Sequence, residues 1–341
     1  MIPAADRPGI MAGMRILIIG GTAFVGRHIA QTAIDSGHDV TLFHRGRTGA
    51  DLFPQATHLT GDRNDDLAAL RTGQWDATID VCAELPRQVR TLASALGGRG
   101  GHHLFISTTS VYRTPVAPGF DESAPLAQLA DPATEEITAQ TYGGLKVACE
   151  RAAVELHGDG TTIVRPTYVI GPYDRSYRFT WWVERLARGG EVLAPGGSQD
   201  PIQVIDARDL ARWSIGLLEH GTGGTFHAVS PEPPFGFGDL LETIAAQVAP
   251  AGTVLTWVGR DYLLTEGEDD ASLPLWPGGD SERDINAASA AAALAAGLTP
   301  RPLSQSIAEL HDHELRFPTA RPAGTGISAE REAGLLAGWR R

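Results

Sequence analysis

The sequence predicts an α/β fold: a doubly wound parallel sheet with helices on both faces, and a smaller C-terminal lobe. Three observations predict it. The apolar run Arg15-Ile16-Leu17-Ile18-Ile19 leads into a glycine turn and a helix start at Gly20-Gly21-Thr22-Ala23-Phe24-Val25-Gly26. Short apolar strands and amphipathic helical stretches then alternate as far as Arg165-Pro166, the rhythm of parallel strands joined by crossover helices. Beyond Pro166 that rhythm breaks into a stretch rich in Tyr, Arg and Trp over 173–188.

Residues 1–13 hold Pro3, Pro8, Gly9 and Gly13 without periodicity and read as a disordered leader. Strands are expected near 15–19, 39–43, 57–60, 77–81, 103–107 and 161–165, with helices between several of them. A strand near 202–205, a helix near 207–219 and a strand near 224–229 follow. Residues 231–281 read as part of a second lobe, with Glu266, Glu268, Asp269 and Asp270 on a solvated loop. An alanine-rich helix over 286–296 and helical patterns near 303–316 and 328–340 complete the chain. The expected division is a dinucleotide-binding domain over 14–172 plus about 202–230, with 173–201 and 231–341 forming a substrate lobe and C-terminal helices.

At 341 residues and 42% hydrophobic, the chain can bury a large core or a core plus a lobe. Its net charge is −13, and no basic run interleaved with aromatics is visible. The phosphate-neutralising surface of a nucleic-acid binder is therefore not expected, and a small-molecule partner is. Two cysteines, Cys82 and Cys149, are too few for a disulfide framework and read as reduced core residues. No apolar run approaches 18 residues, so no membrane span is expected and the location reads as cytoplasmic. His102 and His103 have no Cys or Asp at ligand spacing, so no metal is expected there.

The first turn has the chemistry of a pyrophosphate site. Gly20 permits the turn, Ala23 stands where a small residue lets backbone approach phosphate, and Gly26 allows the helix to lie against the strand. The N–H groups of Thr22, Phe24 and Val25 lie at the helix start, where donors are free. Eighteen residues past Gly26 the second strand ends His44-Arg45-Gly46-Arg47, with no carboxylate for a ribose 2′-hydroxyl. Arg45 and Arg47 suit a 2′-phosphate instead, which favours NADP(H) and leaves NAD(H) as the alternative. Asp62, beside Arg63, is placed to meet an adenine amine, or equally to cap a helix.

Lys146 is the only lysine of the chain and stands four residues after Tyr142, one helical turn away on the same face. A lysine so placed lowers the cost of a phenolate. After the fifth strand comes Ser107-Thr108-Thr109-Ser110-Val111-Tyr112, which sets hydroxyls at the ligand-binding end of a sheet. With the glycine turn, these motifs resemble the extended short-chain dehydrogenase/reductase family, the branch of NAD-dependent epimerases and dehydratases, over roughly 14 to 230. The segments Arg165-Pro166-Thr167-Tyr168-Val169-Ile170-Gly171-Pro172 and Ile205-Asp206-Ala207-Arg208-Asp209-Leu210 are similar to its later landmarks. The Phe43-His44-Arg45-Gly46 turn and the ending Gly326-Ile327-Ser328-Ala329-Glu330 are more similar to a bacterial subgroup related to the chloroplast stem-loop RNA-binding proteins.

The resemblance implies a Rossmann domain with Tyr142 as general acid/base, its pKa brought down by Lys146 and the nicotinamide charge. Lys146 would also hold the nicotinamide ribose, and Pro166 would border the cofactor. Thr108 would orient the substrate, with Thr109 or Ser110 as alternative donors. The resemblance also implies a homodimer through the helix carrying Tyr142. Two departures matter. Where dehydratases of this family carry Asp-Glu, the chain has Thr109-Ser110, so dehydration is discounted. Where many members place an Arg for a diphosphate, it has Gln199-Asp200. Substrate contacts are expected from Glu84, Thr109, Tyr168, Arg175, Arg178 and Trp182, a mixture of cations and aromatics suited to an anionic or ring-bearing molecule. An oxidoreductase, an epimerase without net redox, and a non-catalytic nucleotide-sensing or RNA-binding protein all remain open.

Overall fold

The computed structural model describes residues 13–158, 160–276 and 283–341. All of the expected leader except Gly13 lies outside them. The strands are β1 (Arg15–Ile19), β2 (Asp39–His44), β3 (Thr57–Thr60), β4 (Ala77–Asp80), β5 (His102–Ile106) and β6 (Thr162–Pro166). They continue with β7 (Tyr168–Ile170), β8 (Glu191–Pro195), β9 (Val204–Asp206), β10 (Gly224–Ala228) and β11 (Val254–Val258). The described helices of the first half are α1 (Phe24–Asp35), α2 (Pro86–Leu96), α3 (Ala139–His157), α4 (Arg178–Ala187) and α5 (Ala207–Glu219). Those of the second half are α6 (Phe237–Val248), α7 (Arg260–Thr265), α8 (Ala291–Ala295), α9 (Leu303–Arg316) and α10 (Ala329–Trp339).

Seven strands form one parallel sheet in the order β10-β6-β5-β4-β1-β2-β3. The chain winds outward from β1 to β3, then returns to lay β4 on the other side of β1, so the order reverses between β1 and β4. A crevice opens at the carboxyl ends of strands at such a reversal. The inner strands are buried on both faces, which is why β1 is apolar from Ile16 to Ile19, whereas the edge strand β3, Thr57-His58-Leu59-Thr60, is partly exposed. Ile16 and Ile18 of β1 pack in one cluster with Ile29, Ala30 and Ala33 of α1 and Leu210 of α5. Leu17 and Ile19 face the other way, toward Leu92 and Leu96 of α2.

A second core gathers Trp181 and Trp182 of α4, Phe237 and Leu240 of α6, Leu335 of α10 and Trp276. Beside it β8 pairs in parallel with β11. A buried ion pair fastens α10 to it, with Arg185 Nε 2.7 Å from Glu332 Oε2 and the Leu193 N–H donating to Glu332 Oε1 at 3.0 Å. Ala293 and Leu298, far along the chain, return to the sheet's own core.

Four expectations are corrected here. Trp182 is no substrate residue: it is 0% exposed and donates from Nε1 to the Pro274 carbonyl at 2.5 Å. The helix expected over 286–296 forms only at Ala291–Ala295. The Gln203 amide explains this, since it accepts from the Ala288 N–H and donates to the Ala288 carbonyl, both at 2.9 Å, and so holds that backbone extended. Glu268 is not solvated but buried against Arg331 at 2.7 Å. Cys149 is a core residue, whereas Cys82 is exposed to a cleft.

Under the sheet, the rings of His103 and His157 stack at 4.1 Å, and neither nitrogen of His103 has a partner among the described residues. Burial, with the adjacent His157 ring, pushes the His103 pKa down to about 3. An unfolded chain takes up a proton on this ring near pH 6.5, which the native state refuses until about 3. This contribution to stability is therefore complete above the unfolded value and is lost as pH falls through that window, at up to roughly 1.4 kcal/mol per pH unit. His103→Phe removes the proton site and keeps an aromatic ring, so its denaturation midpoint should fall less steeply below pH 6.5 than the wild type's. Parallel pH profiles for the two proteins would contradict a neutral buried imidazole.

Candidate active site

The crevice at the strand-order reversal is a cleft of about 1550 Å³. Ordinary single-ligand pockets occupy roughly 300–1,000 Å³, so this one has room for a dinucleotide and a second molecule. It runs from the ends of β1 and β2, past the start of α3, to Asp174, Arg175, Arg178, Asp270 and Asn286.

The glycine turn forms one wall. Gly20 has φ +92°, and a Cβ on Gly26 would stand 2.1 Å from the Gly20 carbonyl oxygen, so helix and strand meet backbone to backbone. Gly26 accordingly packs behind the wall rather than lining it. Gly20, Thr22, Ala23, Phe24 and Val25 do line it. The first turn of α1 has neither a side-chain cap nor an acidic residue, so its N–H groups are left for an anion. Phe24, at φ +32°, holds a strained conformation at this point. Uncapped backbone donors at the edge of the cleft fit a pyrophosphate.

At the end of β2, His44 is buried, while Arg45 and Arg47 are exposed and line the cleft. Asp62 also lines it but uses Oδ1 to accept from the Asn64 N–H at 2.9 Å, which closes its own turn rather than capping a helix. Arg63 forks onto Asp80 at 2.7 and 2.9 Å and reaches Cys82 Sγ at 3.1 Å. Burial opposes the Asp80 charge and Arg63 outweighs it, holding that carboxyl below its usual range.

Thr108, Tyr142 and Lys146 converge on the cleft. Lys146 Nζ donates to the Ala83 and Ile106 carbonyls, each at 2.8 Å, and lies 4.2 Å from the centre of the Phe105 ring. Burial lowers its pKa. The phenol of Tyr142 lines the cleft with Thr108 and Glu84. Its pKa is raised, first by burial and then by the Glu84 carboxylate, against the opposing pull of a Thr108 hydrogen bond and of Arg178. Lys146 gives two of its three N–H donors to backbone carbonyls. Thr108 Oγ1 donates to Ser110 Oγ at 3.2 Å and accepts from the Ser110 N–H at 3.1 Å, while Thr109 is buried at the cleft wall.

Pro166, Tyr168, Glu84, Arg175 and Arg178 line the remaining walls. The Arg178 guanidinium lies 4.9 Å from the centre of the Tyr168 ring. Of the expected substrate residues, Trp182 alone is elsewhere.

Sequence reasoning missed a buried network beneath the site. Arg165 donates to both oxygens of Glu150, at 3.0 and 2.7 Å, and to the Tyr112 hydroxyl at 2.6 Å. Ser107 Oγ donates to Glu150 Oε1 at 2.5 Å, and Tyr112 is bonded to His227 Nε2. The spacing held a signal: Tyr142, Lys146 and Glu150 fall at successive turns of one face of α3.

Comparisons with known proteins bear on the family and the fold. The sequence model of the "NAD dependent epimerase/dehydratase family" matches residues 16–228, more than half of the chain. The chloroplast stem-loop binding protein of 41 kDa b of Arabidopsis thaliana is 26% identical over 221 residues, 60% of this chain. The chain spans about half the length of that relative, 55% of it. UDP-glucuronic acid 4-epimerase from Bacillus cereus, solved in complex with NAD, superposes with a TM-score of 0.63 at 15% identity, covering 92% of this chain and 100% of that one. Human epimerase family protein SDR39U1 (isoform 2), solved with NADPH, does so with a TM-score of 0.63 at 19% identity, over 88% and 99%.

Because the Arg165 and Glu150 side chains are only 5% and 7% exposed, removing one charge strands the other. Arg165→Met should cost about 3–5 kcal/mol in urea denaturation. A loss below about 1 kcal/mol, the range of exposed pairs, would show the pair to be solvated.

Proposed function

The chain belongs to the NAD dependent epimerase/dehydratase family, and from that premise we propose that it is an NADP(H)-dependent oxidoreductase. Its substrate would be a secondary alcohol or ketone on a sugar-like or specialised-metabolite molecule. The observation that carries this reading is the meeting of Thr108, Tyr142 and Lys146 with the glycine turn in one cleft. When bound, a nicotinamide dinucleotide supplies or accepts a hydride. The backbone donors of Thr22 to Val25 would hold its pyrophosphate, and Arg45 and Arg47 a 2′-phosphate. Structures with NAD and with NADPH are both found among the similar folds; the arginines and the absence of a carboxylate at the end of β2 support the phosphorylated form.

The residues of the chain divide the remaining work. Thr108 orients the Tyr142 hydroxyl by a hydrogen bond. Tyr142 would give its proton to a ketone oxygen as a hydride arrives, and take it back from the alcohol in the reverse direction. Lys146, fixed by two carbonyls, would hold the nicotinamide ribose. Arg175 and Arg178, both exposed to the cleft, suit an anionic part of the substrate. Epimerisation without net redox is the second reading, favoured by the fold likeness to UDP-glucuronic acid 4-epimerase. An RNA-binding role, as the name of the Arabidopsis relative suggests, is opposed by the charge of −13.

Quenching of tryptophan fluorescence by NADPH and by NADH should show NADPH bound about tenfold more tightly, a difference of about 1.4 kcal/mol. Binding of neither would overturn the enzyme reading. In a screen of sugar-derived ketones and UDP-sugars followed at 340 nm and by NMR, Tyr142→Phe should slow turnover by about 10²–10⁴-fold with NADPH affinity unchanged. Full activity in that variant would remove Tyr142 from the chemistry, and turnover without net NADPH consumption would establish the epimerase.

A further inference from the structure

The two arginines assigned to a 2′-phosphate sit on a turn with little stiffness of its own. Arg45 and Arg47 flank Gly46, whose φ of +69° belongs to the left-handed region that favours glycine. Neither guanidinium has a hydrogen-bonding or ionic partner among the described residues.

What holds the turn is a chain of hydrogen bonds leading back to the edge of the sheet. The Gly46 N–H donates to His44 Nδ1 at 3.0 Å. His44 Nε2 lies 2.8 Å from His58 Nδ1, and His58 Nε2 lies 3.1 Å from the Phe53 carbonyl oxygen. A backbone N–H only donates and a carbonyl only accepts, so the two ends dictate every proton between them. His44 Nδ1 is bare, and its Nε2–H donates to His58 Nδ1. His58 then donates from Nε2 to Phe53. All four ring nitrogens are used once, in one direction. The backbone supports the same arrangement, with the Gly61 N–H donating to the His44 carbonyl at 3.1 Å and the Ala56 N–H to the Phe53 carbonyl at 2.9 Å.

We propose that His58, acting through His44, is the positioning residue for cofactor selectivity: it holds the Arg45-Gly46-Arg47 turn in the shape that presents two guanidinium groups to a ribose 2′-phosphate. The inference rests on the NADP(H) reading above. His58 lies on β3 and is half-buried behind His44, which itself lines the cleft, so it acts on the turn rather than on the ligand. A ligand with a plain 2′-hydroxyl draws little from the two cations and loses little when they are disordered. A phosphate depends on both, and ordering them at the moment of binding costs affinity that a preset turn saves.

The experiment is a fluorescence titration of the full chain with NADPH and NADH, each variant first checked for a native thermal transition. His58→Ala leaves His44 without an acceptor. Its NADPH dissociation constant should rise about tenfold while that for NADH stays within twofold. His58→Phe fills the space without an acceptor and carries the same expectation if the alanine variant does not fold. His58→Gln, with an amide oxygen toward His44 and an amide nitrogen toward Phe53, should return NADPH affinity to within about threefold of wild type. If the wild type itself shows no preference for NADPH, the cofactor reading falls and the selectivity role with it. If the wild type prefers NADPH and His58→Ala keeps the same ratio, or weakens both ligands equally, the role of His58 alone is overturned.

Discussion

The buried fork between Arg165 and Glu150 is the interaction on which the rest of the site depends. Arg165 stands at the end of β6, and Glu150 on α3, one turn beyond Lys146 and two beyond Tyr142. Their pairing sets how α3 lies against the sheet, and so where the phenol and the ammonium emerge. Ser107 and Tyr112 join the same pair from the two ends of the turn that carries Thr108, Thr109 and Ser110. His227 extends it to β10, held by the Ser289 carbonyl at 2.9 Å and by its own N–H to Glu122 at 2.8 Å. A charged pair this deep is costly unless every partner is satisfied; here the partners come from segments far apart in the chain. The cost of the pair is offset by the precision it imposes on the segments that meet in the cleft.

The cleft differs in charge from the protein around it. Arg45, Arg47, Arg63, Arg113, Arg175, Arg178 and Lys146 line it against Asp62, Glu84, Asp174 and Asp270, in a chain of net charge −13. An anion entering this crevice meets a field opposite to that of the whole surface, concentrated between low-dielectric walls. Arg63 is paired with Asp80, whereas Lys146 is anchored only by neutral carbonyls. Four of the exposed arginines form two pairs, Arg45 and Arg47 after β2 and Arg175 and Arg178 at the start of α4. Between them, Tyr142 lies under the opposing influence of Glu84 and Arg178. A substrate that neutralises Glu84 would make the phenol a stronger acid, a form of activation that the pairing of Tyr142 and Lys146 does not by itself supply.

Much of the fold was legible because the relevant physics is local or periodic. The first six strands appear within a residue of where apolar runs placed them, and α5 and α9 occupy the expected 207–219 and 303–316. A parallel strand buried on both faces announces itself in composition, and an amphipathic helix in its period. The glycine turn was legible for a related reason, since Gly20 and Gly26 answer steric demands that no other residue meets. The misread residues share one property, a partner far along the chain. Trp182 looked like a substrate contact until Pro274 took its N–H, and Glu268 looked solvated until Arg331 reached it. Residues near 288 looked helical, but Gln203, 85 positions away, claims their backbone.

By itself the sequence determined the parallel α/β architecture, the glycine turn and the spacing of Tyr142 and Lys146, because sterics and helical period act over a few residues and leave a pattern in order along the chain. Only the tertiary structure decided the surroundings of those groups: that burial and Glu84 raise the Tyr142 pKa, that Lys146 is bound to the carbonyls of Ala83 and Ile106, and that hydrogen bonds link the arginine turn through His44 to His58. Desolvation and hydrogen-bond completion depend on what closes over a residue from elsewhere in the fold, and no local pattern records it.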